Sequence, residues 1–253
     1  MATDDVKRVA LVTGASSGIG AATALLLARR GYAVGVNYHH GAAAAQVLVA
    51  QIEAEGGAAL ALPADVTVKA EVQAMVSALV ERFGGLDLLV ANAGTPVVRT
   101  PLLSLREEDW DRCVDINLKG VFLCAQAAGP HLLAGRPQRG AASVVIVGSA
   151  AVYTGGTESG HYAAAKAGAH ALVRPLAKEL APTVAVNCVA PGFVDTPFHD
   201  KFFVAGRRDK TVQQTPLQRA GRPEEIAAWI AYVAEAPFIT GQVFHVNGGI
   251  VMP

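Results

Sequence analysis

The sequence predicts an α/β protein with a doubly wound, seven-stranded parallel sheet and helices on both of its faces. Short runs rich in Val, Leu and Ala alternate with longer Ala- and Leu-rich segments along the 253 residues, which is the pattern of repeated β-α-β units. The strand-like runs are continuously apolar, as expected for strands that helices cover on both sides. With 52% hydrophobic residues, the chain supplies a large core. Since no linker or repeat divides it, we predict a single domain over residues 1–253.

Seven short apolar runs bounded by turn-forming residues account for the strands. They span residues 8–12, 33–38, 58–62, 86–91, 143–147, 184–189 and 242–246. The helices are predicted over residues 18–30, 43–55, 69–83, 107–117, 118–134, 159–180 and 223–234. Gly31 and the pair Gly56-Gly57 end the first two helices, because glycine readily adopts the left-handed backbone that closes a helix. Pro175 lies inside the helix at 159–180, where its missing N–H predicts a kink after Arg174.

Charge and composition exclude several classes of partner. Lys and Arg together number 21, as do Asp and Glu, so no net field favours nucleic acid or an anionic membrane. No apolar stretch approaches the ~20 residues of a membrane span, and the polar N-terminus is unlike a secretory signal. The three cysteines, Cys113, Cys124 and Cys188, lack metal-ligand spacing and are predicted to be buried thiols. We therefore expect a cytoplasmic protein without a metal site.

A tyrosine and a lysine four residues apart give the first indication of chemistry. Tyr162 and Lys166 share a face of the predicted helix at 159–180, and Ser149 stands thirteen positions before Tyr162. A free tyrosine titrates near pH ~10, and a neighbouring ammonium lowers that pKa toward the range where proton transfer is useful. The pattern therefore predicts a tyrosine that acts as an acid. Taken alone, it also fits an ordinary surface pair on an Ala-rich helix.

A glycine-rich loop joins the first predicted strand to the first predicted helix. It reads Thr13-Gly14-Ala15-Ser16-Ser17-Gly18-Ile19-Gly20. Glycines let the backbone turn sharply and approach a ligand, and the free N–H groups at a helix start attract a pyrophosphate. This position predicts dinucleotide binding, with a plain tight turn as the alternative.

The remaining motifs identify a family. In chain order they are Thr-Gly-x-x-x-Gly-x-Gly from Thr13, Ala91-Asn92-Ala93-Gly94, Asn117, Ser149, Tyr162-x-x-x-Lys166 and Pro191-Gly192. With these motifs in this order over residues 9–249, the chain resembles the short-chain dehydrogenase/reductase family, and within it the bacterial 3-oxoacyl-carrier-protein reductases and glucose dehydrogenases. The resemblance implies a Rossmann fold, a small-molecule substrate and NAD(P)(H)-dependent interconversion of a carbonyl and a secondary alcohol by hydride transfer.

The resemblance also implies a catalytic role for each of four residues. Tyr162 would give or take the proton as general acid and base, and Lys166 would keep the phenol acidic and bind the nicotinamide ribose. Ser149 would hold the substrate oxygen against Tyr162. Asn117 would interrupt its helix and hold a water that relays protons to Lys166, which fits the poor helix propensity of asparagine.

Further positions are implied to bind the cofactor. Gly14, Ser16, Gly18, Ile19 and Gly20 would surround the phosphates and the adenosine ribose; Asp65 and Val66 would contact adenine; Asn92, Ala93 and Gly94 would flank the adenosine ribose; Pro191, Gly192, Val194 and Thr196 would lie by the carboxamide; and Tyr162 and Lys166 would lie by the nicotinamide.

The end of the second strand bears on the choice between NAD and NADP. An acidic residue there would bind the 2′-hydroxyl and repel a 2′-phosphate, and none is present in Val36-Asn37-Tyr38-His39-His40. We therefore predict a preference for NADP(H), with Asn37, His39 and His40 nearest the 2′-phosphate. The alternative is that the two histidines are exposed loop residues without a cofactor role.

Other expectations concern assembly, the substrate loop and rival functions. The last strand resembles a subunit interface of the family, which implies a homotetramer, and residues 193–220 are expected to cover the substrate.

The alternative functions are those of a sugar-nucleotide epimerase or dehydratase and of a non-catalytic dinucleotide-binding regulatory protein. Epimerases differ in glycine spacing and have a longer C-terminal domain, and a regulator has no need of Ser149 with Tyr162. The histidines at 131, 170, 199 and 245 lack partners at usable spacing, so we predict structural roles for them.

Overall fold

The computed structural model confirms the predicted fold. It describes residues 8–134, 141–197 and 207–253. Seven parallel strands form one sheet in the order β3-β2-β1-β4-β5-β6-β7, with helices on both faces. The strands are β1 (Val9–Val12), β2 (Ala33–Tyr38), β3 (Ala58–Pro63), β4 (Leu88–Ala91), β5 (Ala142–Val147), β6 (Val184–Pro191) and β7 (Val243–Val246).

The helices follow the predicted order, with two short ones that the sequence did not indicate. They are α1 (Gly18–Arg29), α2 (Ala42–Ala54), α3 (Lys69–Phe83), α4 (Glu107–Val114), α5 (Gly120–Leu133), α6 (Ala151–Thr154), α7 (Gly160–Leu180), α8 (Arg207–Gln214) and α9 (Pro223–Glu235). The unpredicted helices are α6 and α8. Helix α7 continues through Pro175 to Leu180 without a break.

Two apolar cores lie on opposite faces of the sheet. Helices α3, α5 and α7 cover one face, where Leu79, Leu132 and Val173 are fully buried. Helices α1, α2 and α9 cover the other, around Leu27 and Ile52. Because both faces are covered, most strand side chains are apolar, which is why the strands read as nearly continuous apolar runs.

A π-helical turn joins α4 to α5. It spans Asp115–Lys119, so the two helices predicted over 107–117 and 118–134 form one continuous helical segment. Turns of this kind often occur at functional sites. Asn117, which the sequence predicts to interrupt its helix, lies in the middle of this turn.

The strand order changes direction at β1, and this change creates the crevice that holds the site. The chain moves outward from β1 through β2 to β3 and then returns to β4 on the other side of β1. In open α/β sheets, ligands bind where the carboxyl ends of the strands face such a switch point. None of the helices in the described ranges has the length and apolarity needed to span a bilayer.

Candidate active site

A cleft of about 1240 Å³ opens at the carboxyl ends of β1, β4, β5 and β6. Nearly all of the predicted site residues line it. They are Gly14, Ser16, Gly18, Ile19, Gly20, Asn37, His39, His40, Asp65, Val66, Asn92, Ala93, Gly94, Ser149, Tyr162, Lys166, Pro191, Gly192, Val194 and Thr196. Asn117 is buried just behind the wall. The fold therefore gathers in one cleft predicted site residues that lie up to 182 positions apart in the sequence.

The glycine loop is shaped by contacts that leave no room for side chains. Gly14 has a φ of +62°, and a Cβ there would lie 2.9 Å from Ala93 Cα. A Cβ on Gly20 would collide with the Gly14 carbonyl oxygen and lie 2.6 Å from Asn92 Nδ2. Asn92 Nδ2 in turn donates to the Thr13 and Gly14 carbonyls at 2.8 and 3.1 Å. The loop is therefore clamped against the end of β4.

Helix α1 begins at this loop with an uncompensated positive end. Its first turn contains no acidic residue, and among the residues described Ser17 makes no side-chain cap. Gly18, Ile19 and Gly20 belong to the cleft lining, and N–H groups in the first turn of a helix have no partner within the helix. A pyrophosphate fits such a turn because exposed amides and the helix dipole both favour negative charge.

Asn37 supports the loop from the other side. Its Oδ1 accepts the Gly14 N–H at 3.1 Å, and its Nδ2 donates to the carbonyls of Leu62 and Ala64, both at 3.1 Å. The side chain is buried, with 1% of its surface exposed. Both amide hydrogens are thus used inside the protein, so this side chain acts as an internal brace rather than as a donor for a 2′-phosphate.

His39 and His40 are exposed at the cleft edge, beside Asp65. Their rings stack at 4.0 Å between centroids, and His39 Nδ1 lies 3.6 Å from Asp65 Oδ2. Partial burial opposes ionisation of Asp65, but hydrogen bonds from Thr67 and the nearby His39 outweigh it and hold the pKa of this carboxyl below its usual value. This end of the cleft therefore contains one carboxylate and two histidines.

Ser149, Tyr162 and Lys166 meet at the end of β5. The Tyr162 phenol and the Ser149 hydroxyl share a hydrogen bond. Lys166 Nζ lies 5.8 Å from the Tyr162 ring centroid and donates to the Val147 carbonyl at 2.8 Å. Lys166 is almost fully buried, with 2% exposure. These contacts place a proton donor, a hydroxyl and a cation at one point of the cleft.

The prediction that the pKa of Tyr162 is lowered is wrong. Burial raises the pKa of the phenol to about 12, although the Ser149 hydrogen bond and the charge of Arg99 act in the opposite direction. Burial also lowers the pKa of Lys166 to about 8. Both shifts have the same cause, because a site with little water disfavours the charged form of each group.

Asn117 fixes the turn that follows β4. Its Nδ2 donates to the carbonyls of Thr95 and Cys113 at 2.6 and 2.8 Å, and its Oδ1 accepts the Thr95 N–H at 3.1 Å. A Cβ on Gly94 would lie 2.7 Å from Asn117 Oδ1 and 3.2 Å from Lys166 Nζ. Asn117 and Lys166 therefore both pack against the side of Gly94 that a side chain would occupy.

Two neighbours of the four predicted catalytic residues were not predicted as site residues. His170, which the sequence predicts to be structural, accepts the Ser149 N–H through Nε2 at 3.2 Å. Arg99 lines the cleft, and its charge acts on the Tyr162 phenol. The spacing of four residues after Lys166 places His170 on the same helix face, but it does not identify a backbone partner. His199, in contrast, lies outside the described residues.

Three comparisons bear on the family. A family model described as Enoyl-(Acyl carrier protein) reductase matches residues 14–251. The chain is 42% identical to the 3-oxoacyl-(acyl-carrier-protein) reductase of Synechocystis sp., over 97% of each chain. It is also 42% identical to the 3-oxoacyl-(acyl-carrier-protein) reductase FabG of Staphylococcus aureus, over 96% of this chain and 98% of that protein.

Among solved structures, the chain is similar to the NADH-dependent reductase A1-R′, which is responsible for alginate metabolism. The TM-score is 0.89 at 36% identity, and the match covers 98% of this chain and 99% of that one. The chain therefore belongs to the short-chain dehydrogenase/reductase family and is an oxidoreductase that interconverts a carbonyl and an alcohol with a nicotinamide dinucleotide.

Proposed function

We propose that this enzyme reduces a ketone to a secondary alcohol, with Tyr162 as the proton donor. The observation that carries the proposal is the hydrogen bond between Ser149 and Tyr162 beside the buried Lys166, at the end of β5. The bound dinucleotide supplies the hydride. Because the pKa of Tyr162 is about 12, the phenol is protonated near neutral pH and ready to donate. This protonation state suits the proton-donating step of reduction.

Ser149 and Lys166 assist Tyr162 in different ways. The Ser149 hydroxyl accepts the Ala151 N–H at 3.1 Å, so it is held toward the phenol and can orient a carbonyl oxygen there. Once Tyr162 gives up its proton, the Lys166 ammonium stabilises the phenolate. Asn117 holds the turn beside Lys166. Its role in a water relay remains a prediction.

The cofactor would bind along the loop and the ends of β4 and β6. Gly14, Ser16, Gly18, Ile19 and Gly20 would hold its phosphates and adenosine ribose; Asn92, Ala93 and Gly94 the adenosine ribose; Asp65 and Val66 the adenine; Lys166 the nicotinamide ribose; and Pro191, Gly192, Val194 and Thr196 the carboxamide. The backbone amides at the start of α1, where no acidic residue or side-chain cap competes, support this placement.

NADPH is the proposed reductant. β2 ends without an acidic residue, and His39 and His40 are exposed near its end, where a 2′-phosphate would lie. The proposed 2′-phosphate site does not include Asn37, because its side-chain amide is hydrogen-bonded inside the fold. The test is kcat/KM with NADPH and NADH for the wild type and for the double variant His39→Ala, His40→Ala. We expect a preference for NADPH that shrinks at least tenfold in the variant. An NADH preference of the wild type would contradict the proposal.

The substrate class, a 3-oxoacyl thioester, is proposed from the relatives, which are named 3-oxoacyl-(acyl-carrier-protein) reductases. The domain is proposed to be single, with residues 193–220 forming the substrate loop, of which 198–206 lie outside the described residues. Phe193, Thr211 and Gln214 of this region line the cleft. The deciding experiment compares acetoacetyl thioesters, simple ketones and keto sugars with both cofactors. Turnover of a 3-oxoacyl thioester supports the proposal.

The same panel separates the rival functions. A dinucleotide-binding regulator would bind the cofactor without turning over any substrate, and an epimerase would act on sugar nucleotides without net oxidation of the cofactor. Either result would overturn the proposed reductase. The Ser149 and Tyr162 contact argues against the regulator, since a binding module needs no proton donor.

We also propose a homotetramer. Exposed aromatic side chains lie on helices of both sides of the sheet: Trp229 and Tyr232, whose rings are in contact on α9, and Trp110 and Phe122 on α4 and α5. A closed tetramer with dihedral symmetry needs two such interfaces. Light scattering should give the mass of four chains, and Trp229→Asp with Tyr232→Asp should reduce it to that of a dimer. A monomeric wild type would contradict this expectation.

A further inference from the structure

One face of helix α7 carries three side chains that all contact the end of β5. Tyr162, Lys166 and His170 are spaced by four residues, so they lie along one stripe of the helix. Tyr162 bonds the Ser149 hydroxyl, Lys166 Nζ bonds the Val147 carbonyl at 2.8 Å, and His170 Nε2 accepts the Ser149 N–H at 3.2 Å. The first two belong to the proposed reaction, and the third has no assigned role.

The sheet explains why β5 needs these partners. β4 pairs with β5 only as far as Ile146. Beyond this point the N–H groups of Gly148 and Ala150 bond to the β6 carbonyls of Val189 and Pro191, each at 2.8 Å. Successive peptide groups of a strand face opposite neighbours, so the Val147 carbonyl and the Ser149 N–H face the side where β4 has ended. Lys166 and His170 supply the partners that a longer β4 would have supplied.

We propose that His170 is a positioning residue that fixes the Ser149 backbone and thereby aims its hydroxyl at Tyr162. The proposal rests on the proposed function, because it assigns a role to Ser149. A donor left without a partner at a partly buried site is unfavourable, so loss of the His170 acceptor would turn the Ser149 peptide. The hydroxyl would turn with it, since both groups belong to one short segment.

Packing around His170 leaves the ring little freedom. It is 8% exposed, and a Cβ on Gly148 would collide with its Nε2 and lie 2.6 Å from Cys188 Sγ. The ring therefore lies directly on the Gly148 peptide, next to Ser149. The Tyr153 ring is 6.4 Å away on the outer side. A side chain confined in this way sets the position of the backbone on which it packs.

The hydrogen bond also defines the state of the imidazole. To accept the Ser149 N–H, Nε2 must be unprotonated, so the neutral ring carries its hydrogen on Nδ1. Burial lowers the pKa of His170 to about 4, and the charges of Lys166 and His245 act in the same direction. The acceptor is therefore maintained at neutral pH.

The test uses variants that keep or remove the acceptor. In His170→Gln, the amide oxygen reaches about as far as Nε2, whereas His170→Leu has similar bulk and no acceptor. His170→Asn keeps the amide but is one carbon shorter. We expect kcat to fall roughly 10- to 100-fold in the Leu and Asn variants, with an unchanged cofactor Kd, and the Gln variant to recover most of it. His131→Leu, a histidine on α5 remote from this contact, is the matched control and should keep the wild-type kcat.

A double-mutant cycle shows whether His170 acts through Ser149. In the Ser149→Ala background, His170→Leu should reduce kcat less than about twofold further. A full additional loss in that background would overturn the proposal, as would a wild-type kcat in His170→Leu or equal values for the Gln and Asn variants. If the Leu protein does not fold, the Gln and Asn pair decides by the same comparison. Wild-type activity of Ser149→Ala alone would instead contradict the proposed role of Ser149.

Discussion

The two ends of the cleft are built by different means. At the cofactor end, the backbone of the glycine loop is shaped by the amides of Asn37 and Asn92 and by the absence of side chains at Gly14 and Gly20. At the chemistry end, buried ionisable side chains of α7 hold the end of β5. The first end provides shape and exposed N–H groups, and the second provides groups whose pKa values burial has changed. Substitutions at the two ends should therefore affect different steps of the reaction.

Tyr162→Phe should give the largest difference between the effect on kcat and the effect on cofactor binding. The phenol is the proposed proton donor, and a positioned general acid contributes about 10²- to 10⁴-fold to a rate. We expect kcat to fall about 10³-fold while the Kd for NADPH, measured by fluorescence titration, changes less than twofold. If most of the activity remained, Tyr162 would not be the acid.

Gly20→Ala should have the complementary effect, a loss of cofactor affinity. The added Cβ would collide with the Gly14 carbonyl and approach Asn92 Nδ2 to 2.6 Å, so the loop must shift away from its clamped position. We expect the Kd for NADPH to rise about 100-fold, which corresponds to about 2.7 kcal/mol of binding free energy, with substrate reduction at saturating cofactor affected much less.

Gly129→Ala provides the control for that substitution. Gly129 lies inside α5, and a Cβ there would meet nothing within 4 Å. Alanine should therefore leave the Kd unchanged and raise the unfolding free energy by about 0.5–1 kcal/mol, as measured by urea denaturation. Equal cofactor affinity in both variants would show that the clamp does not shape the site.

The pH dependence of reduction should report on Lys166. Its pKa is about 8, so the ammonium is present below that pH and is lost as the pH rises through it, whereas Tyr162, at about 12, stays protonated. We expect kcat for reduction to fall up to tenfold per pH unit above about 8. In Lys166→Arg the guanidinium stays charged, so the residual activity should not show this decline. Persistence of the decline would assign it to another group.

The smallest effect should come from Arg99→Gln. The charge of Arg99 lowers the pKa of Tyr162, so its removal should raise that pKa further and make the phenolate harder to form. We expect alcohol oxidation, which needs the phenolate, to slow about threefold at a fixed pH and its profile to move to higher pH. Cofactor affinity should not change, and an equal shift in Kd would place Arg99 at the other end of the cleft.

The fold could be predicted from the sequence because strands that are buried on both faces form continuous apolar runs. Each buried strand is a short apolar run, and the predicted strand limits differ from the observed ones by no more than two residues. The short helix α6 and the π turn were not predicted, since a single turn has no periodicity to detect.

The site was predicted in its composition but not in its electrostatics. The motifs predicted nearly all of the site residues that line the cleft. They also predicted a lowered pKa for Tyr162, whereas the pKa is raised. Residue spacing indicates a neighbouring cation but not the degree of burial. The motifs also missed His170, whose partner is the backbone N–H of Ser149. Every residue except proline has such a donor, so no side-chain motif could indicate this contact.

The π turn at Asp115–Lys119 has a consequence for the chain's tolerance of insertions and deletions. A turn of this kind contains one more residue than an α-helical turn, and α4 and α5 continue on either side of it. Deleting one residue here would close the turn to an ordinary α-helix without removing any strand or core helix. The extra residue sets the place of Asn117, so we expect a one-residue deletion here to leave a folded protein with a displaced asparagine.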